Sequence, residues 1–168
     1  MRRLLPLLCI ISIFVSSYGQ KEKYQSLFIY NFTKYIKWPE SYHSEKFIIA
    51  VIGNSEVLES LNSMASAKKK TSSGQVIEIR KYNTLSDIGD CNILFVSENT
   101  SDNIRQIESK TSSKPILIIT DTPGLATQGS IINFIESDGK VRFELNQSKA
   151  SKRGLKISAS LTNLAILI

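Results

Sequence analysis

Residues 114–146, KPILIITDTPGLATQGSIINFIESDGKVRFELN, decide the fold, because they contain a buried strand, a turn and then a hairpin. Residues 115–120 form an apolar run, which is typical of a strand covered on both faces. Residues 141–145 alternate Val, Arg, Phe, Glu and Leu, which favours a strand with one face in water. The segment therefore predicts one central strand and two strands nearer the edge of a sheet.

The hairpin is predicted by Asp138-Gly139, which lies between the last two strand segments. Both positions accept the positive φ angles of a two-residue type I′ turn. With these two residues as the loop, Phe134 lies opposite Phe143 and Ile132 lies opposite Leu145. One face of the hairpin is then apolar and available for burial.

Three earlier segments supply the rest of the sheet. Residues 47–52 and 91–97 are apolar and continuous, which predicts central strands, whereas residues 76–82 alternate and predict an edge strand. Right-handed crossovers place the edge strand outside residues 47–52, with the three apolar runs side by side. The predicted fold class is α/β, with three layers and a mixed sheet that is parallel at its centre and has an antiparallel hairpin at one edge.

Helices are predicted between the strands and at both ends of the domain. The first spans residues 21–37, ends at Trp38-Pro39, and carries an apolar stripe that we expect to lie in the core. The stripe consists of Tyr24, Leu27, Phe28, Phe32, Tyr35 and Ile36. The other predicted helices pass through residues 57–64, 101–109, 147–153 and 158–167.

The amino terminus has the pattern of an export signal, with Arg2 and Arg3, an apolar middle and a small-residue exit. We predict cleavage after Gly19 and a periplasmic protein. The apolar stretch is shorter than the ~20 residues of a spanning helix. The 168 residues less these 19 leave 149, which suits a single domain at residues 20–168.

Composition restricts the function classes. Without Arg2 and Arg3, the chain has 19 basic and 15 acidic residues, a formal charge of +4, and no basic stripe with interleaved aromatics, so no nucleic-acid partner is predicted. Lys68-Lys69-Lys70 is interpreted as a solvated loop, with attraction to an anionic membrane as the alternative. After cleavage Cys91 is the only cysteine, which leaves no intramolecular disulfide.

No catalytic, cofactor or metal site is predicted. Asp121-Thr-Pro-Gly124 is similar to the D-x-x-G motif of GTP-binding proteins, but the sequence has no phosphate loop to accompany it. His43 is the only histidine, and Cys91 begins a strand, where nothing favours a thiolate. A structural zinc site needs more Cys and His ligands than the chain supplies.

One positional argument points to a ligand. Ligands of open α/β sheets bind beyond the carboxyl ends of the strands, and here those ends carry Asn54, Ser97 and Asp121. These polar residues are the candidates for a ligand crevice. The alternative is that they only cap loops and helices.

Two blocks of sequence resemble the YfiR-like family of periplasmic regulatory proteins. The opening block is residues 28–39, FIYNFTKYIKWP. The closing block consists of residues 119–124 (ITDTPG), 129–134 (GSIINF), 138–146 (DGKVRFELN) and 154–158 (GLKIS). Both blocks occur in the family's order and spacing, and the resemblance covers nearly all of the chain after residue 19.

The resemblance implies an exported α/β protein, without enzymatic activity, that binds and represses a membrane-bound diguanylate cyclase and so keeps cyclic di-GMP and biofilm formation low. Aromatic residues left uncovered near the first helix, Tyr30 and Trp38, are the candidate partner contacts. The alternative is a periplasmic small-molecule-binding module that acts with a sensor kinase or a transport receptor. The resemblance leaves a homodimer open. The best-known members carry paired cysteines, whereas Cys91 has no partner, which argues against redox control by a disulfide.

Overall fold

The computed structural model describes residues 20–168, so the predicted signal peptide and its cleavage site lie outside the described residues. The strands are β1 (Ile36–Lys37), β2 (Lys46–Ile52), β3 (Val76–Tyr82), β4 (Ile93–Val96), β5 (Leu117–Thr120), β6 (Ile132–Ser137), β7 (Lys140–Leu145), β8 (Lys156–Ile157) and β9 (Ile166–Leu167). The α-helices are α1 (Gln20–Tyr35), α2 (Val57–Lys68), α3 (Ile104–Lys110), α4 (Leu125–Gln128), α5 (Gln147–Lys152) and α6 (Ala159–Thr162).

Seven of the strands form one mixed sheet in the order β3-β2-β4-β5-β6-β7-β9. Every pair from β3 to β6 is parallel, and β6 pairs with β7 in the antiparallel sense. This confirms the predicted α/β class, the parallel centre and the position of β3 outside β2. The two remaining strands, β1 and β8, form a separate antiparallel pair that joins the end of α1 to the segment after α5.

The hairpin has the predicted turn and the predicted register. Asp138 and Gly139 have φ angles of 54° and 68°, as a type I′ turn requires. Phe134 pairs with Phe143, and Ile132 pairs with Leu145. The apolar face that results is buried against α1.

The carboxyl terminus differs from the prediction. A helix was expected at residues 158–167, but α6 ends at Thr162 and the chain continues as strand β9. Ser158 caps the short helix, since its side chain accepts a hydrogen bond from Leu161 N. Ile166 and Leu167 then pair with the open edge of β7, and this backbone pairing overrides the helical pattern. The hairpin is therefore flanked by one more parallel strand.

Two apolar clusters lie on opposite faces of the sheet and make the fold three-layered. One cluster packs α1 and α2 on β2 through side chains such as Phe32, Leu61 and Val51. The other packs α3 and α4 on the opposite face through Ile104 and Leu125. Successive residues of the central strands point to alternate faces, which explains why these strands read as continuous apolar runs.

Four phenylalanines fix α1 on the hairpin. Phe28 and Phe32 on the helix face Phe134 and Phe143 on the strands, with ring centroids 5.4 to 6.1 Å apart. These distances are typical of favourable aromatic pairs. The relation between the first helix and the closing hairpin is therefore set by direct side-chain packing.

The predicted apolar stripe of α1 is correct only in the second half of the helix. Phe32, and Ile36 directly after the helix, are buried, but Tyr24 and Leu27 are each 48% exposed. The polar Gln25 and Ser26 are buried in their place. The face of the helix that meets the sheet therefore passes through Gln25, and the apolar side chains on either side of it are left in water.

Candidate functional site

The carboxyl ends of β2, β4 and β5 lie side by side, as the sequence predicts. Ile52 pairs with Val96 and Val96 pairs with Thr120, so Gly53, Ser97 and Asp121 follow at the same end of three neighbouring strands. The predicted crevice residues are thus brought to one edge of the sheet. Their side chains, however, are engaged within the protein.

Ser97 and Asn54 belong to one network of internal hydrogen bonds. The Ser97 hydroxyl lies 2.7 Å from the Ile52 carbonyl oxygen and 2.6 Å from Asn99 Oδ1. Asn99 Oδ1 also accepts a bond from the Asn54 backbone N–H at 3.4 Å, and Asn54 Oδ1 accepts one from Lys81 Nζ at 3.0 Å. These contacts support the interpretation that the two residues shape the loops at the strand ends.

Asp121 is occupied by the first helix. Its Oδ2 atom accepts hydrogen bonds from Lys21 Nζ and from Gln25 Nε2, both at 3.2 Å, and the Asp121 side chain is only 15% exposed. This long-range contact provides a polar partner for the buried Gln25, whereas the neighbouring Tyr24 is 48% exposed. A ligand at Asp121 would have to displace the amino-terminal end of α1.

The most exposed apolar part of α1 lies between two cavities. We define the α1 surface by Glu22, Tyr24 and Leu27 of α1 together with Glu56, the residue directly before α2. A cavity of about 820 Å³ lies between α1 and α2, and Tyr24, Leu27 and Met64 are among the residues that line it. A second cavity of about 840 Å³ lies between α1 and the hairpin and is lined by Tyr24, Phe28 and Val141, among others. Glu22, Tyr24 and Glu56 line both cavities.

The α1 surface is acidic as well as apolar. Four glutamates line the two cavities and take part in no ion pair within residues 20–168. They are Glu22, Glu56, Glu59 and Glu136. Glu22 Oε2 is buried and has no hydrogen-bond partner among the described residues. The basic residues here are Lys23 and Lys140, together with Lys21, which is paired with Asp121.

The two predicted partner contacts have different environments. Tyr30 is half-buried, and Lys68 Nζ lies 5.3 Å from the centre of its ring. Trp38 is buried, with 9% of its surface exposed, and its Nε1 donates to the Asn92 carbonyl oxygen at 3.3 Å. Its ring also packs edge-on against Phe47 at 4.9 Å. The expectation that Trp38 is uncovered is therefore wrong, because this residue, which follows β1, is folded into the core.

The α1 surface itself was missed by the sequence analysis. Helical spacing with Phe28 and Phe32 predicts that Tyr24 and Leu27 lie in the core. The sequence contains one relevant signal, since Gln25 and Ser26 interrupt the apolar stripe, but nothing local identifies Asp121 as the hydrogen-bond partner of Gln25.

Cys91 and His43 have different environments. Cys91 is 1% exposed, and burial raises the pKa of its thiol to about 12. His43 is exposed in a loop. Within residues 20–168, no group of three or more His, Cys, Asp or Glu residues is placed to hold a metal ion. In the same range, no helix has both the length and the apolar composition needed to span a bilayer.

The fold and the α1 surface define an α/β protein with an exposed, partly apolar face suited to contact with another molecule. Residues 22–166 match the family described as YfiR/HmsC-like, and the chain belongs to this family. The family comprises periplasmic regulatory proteins that act with membrane signalling proteins. A comparison with curated proteins finds no match to this chain.

Proposed function

We propose that this protein is a periplasmic regulator, without catalytic activity, that binds a membrane-bound diguanylate cyclase and represses it. Cyclic di-GMP and biofilm formation are then low while the protein is bound. The observation that carries this proposal is the family match over residues 22–166, which begins within α1 and ends within β9.

We further propose that the α1 surface makes the contact. Tyr24 and Leu27 are two of the large apolar side chains that remain about half exposed, and tyrosine is enriched among the residues that dominate binding energy at interfaces. Tyr30, which lies further along the same helix, is the other candidate aromatic. The unpaired glutamates favour a partner segment that is basic at its rim, and such complementarity acts mainly on the association rate.

Repression follows from a difference in affinity. A regulator shifts its partner toward the inactive state only if it binds that state more tightly than the active one. A shift from 1:99 to 99:1 requires a ratio of about 10⁴ in affinity. Such a ratio of affinities arises if the apolar side chains of the regulator are buried against the inactive arrangement of the partner's periplasmic part and are not buried against the active one.

The proposal is tested in cells that lack the gene. Complementation with the native protein is expected to lower cyclic di-GMP, whereas a Tyr24→Ser, Leu27→Ser double variant is expected not to. Leu164→Ser is the matched control, because Leu164 is 62% exposed and lies outside the α1 surface. Unchanged cyclic di-GMP on deletion would remove the cyclase as the target. Full activity of the double variant would remove the α1 surface from the contact.

The partner itself is identified by crosslinking in intact cells, followed by purification of the tagged protein from membranes. We expect an integral membrane signalling protein to be recovered with the native chain and with the Leu164→Ser control. Recovery should fall for the double variant. If a sensor kinase is recovered instead of a cyclase, the regulatory role stands and the cyclase assignment does not.

A second candidate function is the binding of a small molecule, in a protein that acts with a sensor kinase or a transport receptor. The two cavities beside Tyr24 favour it, since about 820 and 840 Å³ lie within the range of small-molecule sites. A strand-end ligand at Asn54, Ser97 and Asp121 is the other location, and it would act by releasing Lys21 and Gln25 from Asp121. A thermal-shift screen of periplasmic metabolites tests both, because a ligand of the native state raises the melting temperature. The absence of any shift across the screen would argue against this function.

A further inference from the structure

A cationic cleft lies apart from the α1 surface and from the strand ends. It has a volume of about 410 Å³ and is enclosed by residues 39–42, by residues 112–115 after α3, and by the end of α5. Three basic residues line it, Lys114, Lys152 and Arg153, against one carboxylate, Asp90. The lining therefore has a formal charge of +2.

Arg153 is held in place by neutral acceptors. Its Nη1 donates to the carbonyl oxygens of Thr111 at 2.7 Å and Lys114 at 3.2 Å, and its Nη2 donates to that of Glu108 at 3.1 Å. These bonds fix the guanidinium at the end of α3 without neutralising it. The Glu108 carboxylate bonds to Lys149 instead, at 3.1 Å.

The Arg153 guanidinium is half-buried and forms no ion pair within the described part of the chain. Burial lowers the pKa of Arg153, while the negative charge of Glu108 acts in the opposite direction. A partly buried charge gains from an opposite charge at close range. Arg153 therefore adds a fixed positive charge to the wall of the cleft, although its two Nη groups already donate to Glu108, Thr111 and Lys114.

Further donors surround the same space. Lys152 is exposed and forms no ion pair within residues 20–168, whereas Lys114 Nζ is bonded to Asp90 Oδ1 at 2.6 Å. Ser41 and Ser113 also line the cleft, and their hydroxyl groups take part in no hydrogen bond among the described residues. These basic and hydroxyl residues belong to three separate segments of the chain.

We propose that this cleft binds a phosphate group. A phosphate offers oxygen acceptors in several directions, which matches ammonium and hydroxyl donors from three segments better than a planar carboxylate does. The cleft is larger than one phosphate, so it accommodates part of the molecule that carries it. Soluble phosphate esters and phospholipid head groups share this chemistry. The inference is independent of the proposed function, since it uses no residue of the α1 surface.

Calorimetric titration of the purified protein with inorganic phosphate and with glycerol 3-phosphate, at constant ionic strength, tests the site. Lys152→Gln is expected to weaken binding about 5-fold, the effect of one partly screened charge. Asp90→Asn is expected to strengthen binding, because it releases Lys114 from its ion pair. Lys23→Gln, an exposed lysine on α1, is the matched control and should leave binding unchanged.

The source of the phosphate is distinguished by a second arm of the experiment. Co-sedimentation is measured with vesicles of phosphatidylcholine alone and with vesicles that also contain phosphatidylglycerol. Binding to the anionic vesicles that Lys152→Gln reduces and Asp90→Asn increases assigns a lipid head group. Binding of glycerol 3-phosphate without vesicle binding assigns a soluble ester. The proposal is overturned if the protein binds none of inorganic phosphate, glycerol 3-phosphate and the anionic vesicles. It is also overturned if the Lys152→Gln and Asp90→Asn variants bind these probes in the same way as the Lys23→Gln control.

Discussion

Replacing Phe143 with alanine should remove a large part of the protein's stability. Phe143 is 1% exposed, and its ring centroid lies 5.4 Å from that of Phe32 and 5.6 Å from that of Phe28. Truncation of a buried phenylalanine costs about 3–5 kcal/mol, through lost transfer free energy and the cavity that remains. Domains are stable by about 5–15 kcal/mol, so this one change removes a substantial fraction of the total.

The measurement is urea denaturation at 25 °C, followed by the fluorescence of Trp38. Trp38 is the only tryptophan of the chain and is buried against Phe47, so its emission reports on the core. Leu164→Ala is the control, because a residue that is 62% exposed should change the free energy of unfolding by less than about 1 kcal/mol. A loss below about 1.5 kcal/mol for Phe143→Ala, or one equal to that of the control, would show that the aromatic packing between α1 and the hairpin is not as described.

Three further substitutions test other parts of the structure. Because burial raises the pKa of the Cys91 thiol from an ordinary value of 9.0 to about 12, the folded state retains this proton while the unfolded state loses it. The free energy of unfolding should then fall as the pH rises above about 9, by up to ~1.4 kcal/mol per pH unit from this group, and Cys91→Ala should flatten that slope in alkaline urea titrations. Gly53→Ala should cost about 2–4 kcal/mol, because φ at Gly53 is +85° and a Cβ there would overlap the Ser97 hydroxyl; a melting temperature like that of the native protein would contradict this. Trp38→Phe should lower stability by about 1–2 kcal/mol through the lost hydrogen bond to Asn92 and a smaller ring, yet leave partner recovery from crosslinked membranes unchanged; reduced recovery by a folded variant would restore Trp38 as a contact.

The sheet could be predicted from sequence because it depends on local turn residues and on the pattern of apolar and polar residues along each strand. Asp138-Gly139 specifies its own turn, and the turn then fixes the register that pairs Phe134 with Phe143. Strands of continuous apolar residues are also correctly distinguished from strands in which apolar and polar residues alternate. The alternating strand Val76–Tyr82 lies at the edge of the sheet, and the continuous strand Ile93–Val96 lies in its interior. Such patterns report how many faces of a strand are covered.

The candidate site was harder to predict because it depends on contacts between distant residues. Helical spacing alone places Tyr24 in the core, but the buried face of α1 runs through Gln25, which donates a hydrogen bond to the distant Asp121. The same limit applies to Ile166 and Leu167, which pair with β7 and do not continue a helix. Trp38 differs from its prediction in the opposite direction. It is expected to be uncovered beside Pro39, but the fold buries it.

The packing of α1 sets the order in which the protein can complete its folding. The helix begins at Gln20, but it is held by Asp121, by the ring of Phe143 and, through β1, by Ile157. A chain that emerges amino terminus first therefore cannot shield the phenylalanines of its first helix until most of its length is free. Contacts so distant in sequence form late, and unshielded apolar surface in the interval promotes aggregation. We therefore expect the nascent protein to depend on a chaperone that covers α1 until the β6–β7 hairpin has formed.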